Sequence, residues 1–346
     1  MKNWFYEIKH TKPRLKAVLL KVSTRATLFL LLVMFTGIFR VTGQSAPAAE
    51  ENIPYLVTFG SQSDKSWGDD DFCQIFFIKI PTTQKEPVYI RVFDPDIGGE
   101  LDEGKGEFDT KVRFSVYGGL GCYSNPDAQN VNPVGNYKSG NLLASKSFGV
   151  SNRYDNNWYT FGPFNPLEGE YVEKFDGQVF KIIAQGESGD DGNLYTYFLS
   201  THARENHEVE GGNLFTHEYT FRLSNNQNNV SQIYPYIDDR TISVKISNFD
   251  WDNDGFIRIV SVAKNGELCP ASGEDNWVHK EFEIIEAERN TSMEIQFIKN
   301  RSQRINNNNV VLTIQNQYGD MMPFFVVPIG GIPVYNPQIR MRVLER

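Results

Sequence analysis

Val88-Tyr89-Ile90-Arg91-Val92-Phe93 is the stretch that decides the fold most clearly. Successive side chains of a strand point to opposite faces, and here Val, Ile and Val share one face while Tyr, Arg and Phe share the other. The same period of two returns at 111–117, 241–246 and 293–298, and Gly, Asn or Asp lies close to each of these segments. Such residues commonly end strands, so the pattern predicts many short antiparallel strands.

The order of these segments predicts an all-β chain, because no convincing amphipathic helix follows residue 50. Many short strands separated by turn residues are typical of antiparallel sheets packed face to face. A polar stretch at 224–229 predicts a domain boundary. We therefore expect a jelly-roll-like β-sandwich over residues 50–230 and an immunoglobulin-like β-sandwich over 231–346.

The N-terminal 43 residues predict export. A run of 13 mostly apolar residues, 27–39, follows a basic segment and precedes small residues, which is the order of a secretory signal peptide. The rival interpretation is a signal anchor that is not cleaved and holds the chain in a membrane through residues 26–41. Because a spanning helix needs about 20 apolar residues, cleavage is favoured. Either way, the rest of the chain is expected in the periplasm, at the cell surface or outside the cell.

The charge beyond this segment argues against one class of partner. After residue 43 the chain carries 42 acidic and 26 basic residues, a net charge of −16. Nucleic-acid binding requires a basic surface, so we expect no nucleic-acid partner. The acidic surface suits binding of cations, although it is equally typical of a solubilising face.

The stretch Asp250-Trp251-Asp252-Asn253-Asp254-Gly255 resembles the first half of a calcium loop, with carboxylates at alternate positions before a glycine. Ser261 occupies the position where an EF-hand has its bidentate glutamate, and the flanking segments are predicted strands. We therefore expect a calcium site in a loop between strands, with Asp250, Asp252, Asp254 and the carbonyl of Phe256 as ligands and further ligands from elsewhere in the fold. The alternative is a hydrated acidic turn.

A second acidic loop follows the strand at 88–93. Asp94, Asp96 and Asp102 lie in it, and carboxylates on loops at the end of a sheet can converge on a calcium ion. These three residues are further candidate ligands. A set of separately hydrated turns remains the alternative.

Three stretches resemble the pre-peptidase C-terminal type of secreted β-sandwich. They are 77–81, 88–96 and 179–197, in which an apolar strand leads to an acidic loop and a late strand, small polar turn and Gly-x-Tyr-like strand follow. The long insert from Gly118 to Gly169 departs from that compact module. The resemblance implies a non-catalytic accessory module, often stabilised by calcium, with Asp94 and Asp96 as ligands.

Motifs for catalysis are scarce, since the chain has no Gly-x-Ser-x-Gly, His-Glu-x-x-His or P-loop pattern. The sequence therefore favours an exported, non-catalytic calcium-binding protein with a structural, adhesive or assembly role. Its partner would be another surface protein or a glycan, with membrane contact only through an uncleaved N-terminal segment. The second hypothesis is a carbohydrate-binding protein, with Trp251 as candidate ligand-binding aromatic. A glycan-active enzyme is the third.

Overall fold

The computed structural model describes residues 44–67, 72–104, 106–129, 133–300 and 308–339. The predicted export segment, with its alternative as an anchor over 26–41, lies outside these ranges. No helix within the described ranges is both long and apolar enough to cross a membrane. The described residues belong to one compact unit of the chain.

The regular secondary structure of the described chain is mostly strand, which confirms the predicted all-β class. The strands of the first half are β1 (Ser45–Ala46), β2 (Tyr55–Phe59), β3 (Cys73–Pro81), β4 (Val88–Phe93), β5 (Lys111–Gly118), β6 (Asn141–Phe148), β7 (Trp158–Phe164), β8 (Glu170–Val172), β9 (Gly177–Ser188), β10 (Gly192–Ser200), β11 (Asn213–Thr216) and β12 (Glu218–Arg222). Those of the second half are β13 (Val230–Ile233), β14 (Tyr236–Ile237), β15 (Ser243–Phe249), β16 (Gly255–Val260), β17 (Asn265–Cys269), β18 (Trp277–Glu283), β19 (Thr291–Ser292), β20 (Glu294–Lys299), β21 (Asn309–Asn316) and β22 (Phe324–Phe325).

The helical elements are short. Turns of 3₁₀ helix occupy Ala49–Glu51, Lys65–Trp67, Pro126–Gln129, Pro166–Glu168, Glu173–Phe175 and Glu286–Glu288. A further helical turn lies at 337–339. All of them connect strands or lie at the end of the described chain, so the core is supplied by sheets.

The described strands form two large antiparallel sheets and two smaller ones. The first large sheet has the order β18-β15-β21-β12-β2-β10-β4-β7, with β1 also paired to β10. The second has the order β22-β11-β3-β9-β5-β6, with β8 paired to β9. A four-stranded sheet, β13-β20-β16-β17, and the pair β14-β19 complete the fold.

Aromatic residues fill the space between the two large sheets. Phe114 of β5 packs edge-on against Tyr195 of β10 at a centroid distance of 5.1 Å. Phe76 of β3 meets Tyr197 of β10 in the same way at 5.6 Å. All four side chains are fully buried. Contacts of this kind hold two sheet faces together as a sandwich.

Strands from both sides of the predicted domain boundary share one sheet. The polar stretch at 224–229 does form the connection between β12 and β13. Yet β12 is hydrogen-bonded to β21, with Phe221 opposite Val310, and β21 continues to β15. The division into 50–230 and 231–346 stays a prediction, and backbone hydrogen bonds join the two stretches across it.

Glu51 is a buried carboxyl group that gives the stability a pH dependence. Its Oε2 accepts hydrogen bonds from the Ala48 amide at 2.6 Å and the Tyr219 hydroxyl at 3.0 Å. Burial raises the pKa of Glu51 from 4.5 to about 8, although both hydrogen bonds oppose this shift. The native state thus holds this proton more tightly than the unfolded chain does.

We expect the free energy of unfolding to fall as the pH rises from about 4.5 to about 8, with a contribution from Glu51 approaching 1.4 kcal/mol per pH unit. Glu51→Gln removes this contribution, so the variant should gain stability relative to the parent toward pH 8. Urea unfolding across this range measures the slope. Glu86→Gln, at an exposed position, serves as the control. Parallel curves for the parent protein and Glu51→Gln would contradict the assignment.

Candidate metal site

Three aspartates gather at one end of the first large sheet. Oxygen atoms of Asp94, Asp96 and Asp155 lie within 4.8 Å of one another. Asp94 and Asp96 follow β4, and Asp155 precedes β7. Because β4 and β7 are antiparallel neighbours, with Phe93 opposite Trp158, the end of one strand lies beside the start of the other. Strand pairing therefore brings the two loops together.

Backbone hydrogen bonds hold these loops in place. The Asp94 amide donates to the Asn157 carbonyl at 2.9 Å, and the Ile97 amide donates to the Gly149 carbonyl at 3.1 Å. Asp94 itself has φ of +53°, in the left-handed region that Asp and Asn tolerate better than most residues. The carboxylates are thus positioned by the backbone without any need for a cation to assemble them.

The hydrogen bonds of the three carboxyl groups are incomplete. Asp94 Oδ1 accepts from the Asn156 amide at 3.2 Å, and Asp96 Oδ2 accepts from the Tyr154 amide at 2.9 Å. Asp96 Oδ1 and Asp155 Oδ1 are buried and have no hydrogen-bond partner among the described residues. Within those residues, no lysine or arginine forms an ion pair with any of the three. Buried polar atoms are normally paired, so these two oxygens mark a place for a ligand.

The electrostatics of the cluster favour a proton or a cation. Burial raises the pKa of Asp94 to about 7. The Asn156 amide lowers it, while the charges of Asp155 and Asp96 raise it further. Two carboxylates at this separation repel each other by about 3 kcal/mol at an effective dielectric constant of 20. A divalent cation would remove that repulsion.

Asp102, the third candidate of this loop, supports the site from one side. Its Oδ2 accepts from the Gly98 amide and its Oδ1 from the Leu194 amide, both at 2.8 Å. Burial raises its pKa well above the usual range, the two amides lower it, and the charges of Asp94 and Asp96 raise it again. Asp102 thus fastens the loop to β10 through Oδ1 and braces the loop itself through Oδ2.

Asn193 brings a further oxygen to this loop. Its Nδ2 donates to the Pro95 carbonyl at 2.8 Å, and its Oδ1 is buried with no hydrogen-bond partner in the described part of the chain. Carboxylate and amide oxygens are the ligands that calcium prefers. Its Ca–O distances of about 2.3–2.6 Å allow one ion to bridge oxygens nearly 5 Å apart. The residues present therefore fit a calcium ion.

A second group of aspartates, Asp109, Asp190 and Asp191, also has oxygens within 4.8 Å of one another. Asp191 is buried, and its Oδ2 accepts from the amides of Asp109 at 2.8 Å and Thr110 at 3.0 Å. Asp109 is exposed and Asp190 partly so. These hydrogen bonds make Asp191 a brace for the turn, and the group is a weaker candidate than the first.

The predicted loop Asp250–Gly255 has a different arrangement. Asp254 is fully buried and forms an ion pair with Lys299, which is also buried. Asp250 Oδ1 accepts from the Asp275 amide at 3.0 Å. Burial raises the pKa of Asp250 to about 8, with the Asp275 amide opposing the shift and the charge of Asp252 adding to it. The loop is not among the groups of described residues whose carboxylates converge closely enough to hold a metal.

The backbone explains why this loop resembles a calcium motif. Asp250, Asp252 and Asn253 have φ of +60°, +51° and +49°, the left-handed conformation for which Asp and Asn are selected. A Cβ on Gly255 would collide with the Ile298 carbonyl of the paired strand and lie 2.9 Å from the Trp251 ring. Backbone conformation and packing therefore select Asp, Asn and Gly at these positions. Calcium loops carry the same residue types.

Phe256 and Trp251 are the two remaining predicted site residues, and both are held by contacts with β20. Phe256 lies in β16, where it pairs with Ile298 of β20. Trp251 is 1 % exposed and packs edge-on against Phe297 at 5.1 Å. Its ring therefore presents no open face to a sugar.

Asp155 was not predicted from the sequence. It lies in the 118–169 insert, 59 positions after Asp96, within Tyr154-Asp155-Asn156-Asn157. A polar turn directly before a strand is typical of a loop that can carry ligands. The pairing of β4 with β7 is needed to show that Asp155 in this turn lies beside Asp94.

Comparison with known proteins gives no family. No family model matches the chain, and no curated protein matches it. Among solved structures, the chain is similar to one described as a cryo-EM structure of T=3 Penaeus vannamei nodavirus. The identity is 10 %, the match covers 82 % of this chain and 86 % of that one, and the TM-score is 0.18. A TM-score this low carries no argument about fold or function.

Proposed function

We propose that this chain is a non-catalytic, calcium-binding β-sandwich protein with a structural, adhesive or assembly role outside the cytosol. The observation that carries the proposal is the Asp94–Asp96–Asp155 cluster, whose buried oxygens on Asp96 and Asp155 lack hydrogen-bond partners in the described structure. An ion there would add a further link between the β4 loop and the loop before β7, which hydrogen bonds already connect. Its role would be to stiffen this end of the sheet, because binding to the native state alone stabilises that state.

Two further observations support this proposal. The first is the N-terminal sequence, which is typical of exported proteins, and calcium is millimolar outside many cells, so that a weak site is filled. The second is the resemblance to pre-peptidase C-terminal modules. The stretches that carry it lie in β3, β4, β9 and β10 and the loops that follow, and Asp94 and Asp96 are among their residues. The partner would be another surface protein or a glycan.

Calcium binding by defined variants tests the proposal. Isothermal titration of the parent protein should show a calcium site, and Asp96→Asn should weaken that site at least tenfold because it removes a charged ligand from a buried position. Asp252→Asn, in the loop with the calcium-like sequence, is the matched control and should bind like the parent. Asp109→Asn reports separately on the second acidic group.

Two outcomes would overturn the proposal. One is the absence of calcium binding by the parent protein in the millimolar range. The other is loss of binding in Asp252→Asn with unchanged binding in Asp96→Asn. That result would show that calcium binds in the Asp250–Gly255 loop.

A further inference from the structure

Three aromatic rings meet where the chain passes from one large sheet to the other. Phe148 ends β6, Tyr154 lies in the connection that follows, and Tyr159 lies in β7. Because β6 and β7 are edge strands of different large sheets, this connection crosses between the sheets and brings the three rings together. We call the group formed by Phe148, Tyr154 and Tyr159 the aromatic cage.

The rings of the aromatic cage are nearly perpendicular to one another. The angle between ring planes is 85° for Phe148 and Tyr154, 75° for Phe148 and Tyr159, and 88° for Tyr154 and Tyr159. The corresponding distances between ring centroids are 5.7, 5.1 and 5.5 Å. Three rings arranged in this way resemble the walls at the corner of a box, so one small group can contact all of them.

A cation already lies in the aromatic cage. The Lys146 ammonium lies over all three rings, 4.9 Å from the centroid of Phe148, 5.4 Å from that of Tyr154 and 4.4 Å from that of Tyr159. A positive charge within about 6 Å of the centroid, over the face of the ring, is attracted by the negative potential of that face. The three ring faces are therefore directed at one positively charged nitrogen.

The cage does not use the hydrogen-bonding capacity of this lysine. A primary ammonium has three N–H donors and is strongly hydrated. Among the described residues, the Lys146 ammonium has ring contacts but neither an ion pair nor a hydrogen bond. A quaternary ammonium group has no N–H donor to satisfy, and aromatic cages are typical binding sites for such groups. The cage thus suits a quaternary ammonium better than the lysine that occupies it.

The cage can be reached from solvent once Lys146 moves. Lys146, Tyr154 and Tyr159 are partly exposed, and Phe148 is 5 % exposed beneath the lysine. The lysine side chain is long and unbranched, and no hydrogen bond to a described residue holds it over the rings. Its departure into solvent would uncover the ring faces that it now covers.

We infer that the aromatic cage binds a quaternary ammonium group, which takes the place of the Lys146 ammonium. The inference does not rest on the proposed calcium site, because none of the three rings supplies a calcium ligand. The two sites are nevertheless neighbours, since the Tyr154 amide donates to Asp96 Oδ2 at 2.9 Å. Binding is therefore measured both in millimolar calcium and in excess chelator, so that failure of one proposal is distinguishable from failure of the other.

Calorimetry and ligand-observed NMR with tetramethylammonium and choline test this inference. Lys146→Ala removes the competing ammonium and should tighten binding about fivefold, whereas Tyr159→Leu removes one ring face and should weaken it about fivefold. Lys138→Ala is the matched control, since the Lys138 ammonium lies 5.3 Å from a single ring, that of Tyr137, and this variant should bind like the parent. The melting temperature of each variant shows whether it is folded.

A neutral analogue separates charge from shape without any substitution in the protein. In 3,3-dimethyl-1-butanol a carbon atom replaces the nitrogen of choline, so attraction of a cation by the rings predicts that choline binds more tightly. Vesicles of phosphatidylcholine and of phosphatidylglycerol identify the source of the group. Retention on phosphatidylcholine vesicles alone would support a lipid headgroup, and binding of choline without retention on either vesicle would support a small solute.

Three results would overturn the inference. The first is that neither the parent nor Lys146→Ala shows saturable binding of tetramethylammonium or choline, in calcium or in chelator. The second is equal affinity for choline and its neutral analogue. The third is unchanged binding in a folded Tyr159→Leu variant, which would place the ligand outside the aromatic cage.

Discussion

Lys299→Met is expected to reduce the free energy of unfolding by about 3–5 kcal/mol. Lys299 is 3 % exposed and forms an ion pair with the fully buried Asp254. Methionine keeps most of the volume of the side chain but leaves the Asp254 carboxylate buried without its cation. An uncompensated buried charge is far more costly than the net stability that the pair provides when both members are present. Urea unfolding at pH 7 measures the difference.

Two further variants separate charge from packing. Lys299→Met with Asp254→Asn removes both charges and should recover much of the lost stability. Arg113→Met breaks the partly exposed Arg113–Glu187 pair, whose atoms are 2.5 Å apart, and should cost less than about 1 kcal/mol. Equal stability of Lys299→Met and the parent would contradict the buried pair.

Trp251→Ala is expected to destabilise the protein by about 3–5 kcal/mol, the usual cost of truncating a large buried aromatic residue. Trp251 is among the largest fully buried side chains of the described structure, and its ring packs against Phe297. Alanine would leave a cavity between the Asp250–Gly255 loop and β20. Thermal and urea unfolding measure the loss.

Trp277→Ala provides the matched comparison for this variant. Trp277 is 39 % exposed at the start of β18, so its truncation removes less buried surface and should cost markedly less. Equal losses for the two variants would contradict the core position of Trp251. A loss of saccharide binding in Trp251→Ala, with unchanged stability, would return it to the role of a ligand-binding aromatic.

The strands could be read from the sequence because their signal is local. The stretch 88–93 matches β4, and 111–117 lies within β5. The stretches at 241–246 and 293–298 overlap β15 and β20, each displaced by one or more residues. A period of two depends on neighbouring residues only, so it survives without knowledge of the fold.

Pairing between distant strands could not be read in the same way. The hydrogen bonds from β12 to β21 and from β4 to β7 join residues far apart in the chain, and no local pattern specifies them. Asp155 therefore stayed hidden although Asp94 and Asp96 were predicted. Its contribution depends entirely on which strand lies beside β4.

The Asp250–Gly255 loop has a local pattern that is typical of calcium loops, but its residues meet other physical requirements. Asp250 and Asp252 occupy left-handed positions, Asp254 pairs with Lys299, and Gly255 permits close packing of β16 on β20. Each requirement selects a residue that a calcium loop also selects. Spacing alone could not distinguish these causes, because the partner Lys299 lies 45 residues away from Asp254.

The melting temperature in millimolar calcium and in excess chelator tests the central claim most directly. Calcium at about 100 times its dissociation constant would add about 2.7 kcal/mol to the stability of the native state, which corresponds to a rise of roughly 4 °C for a unit of about 300 residues. We predict this rise for the parent protein and for Asp252→Asn, and its loss in Asp96→Asn. An unchanged melting temperature of the parent protein with and without calcium would contradict a structural calcium ion at Asp94, Asp96 and Asp155.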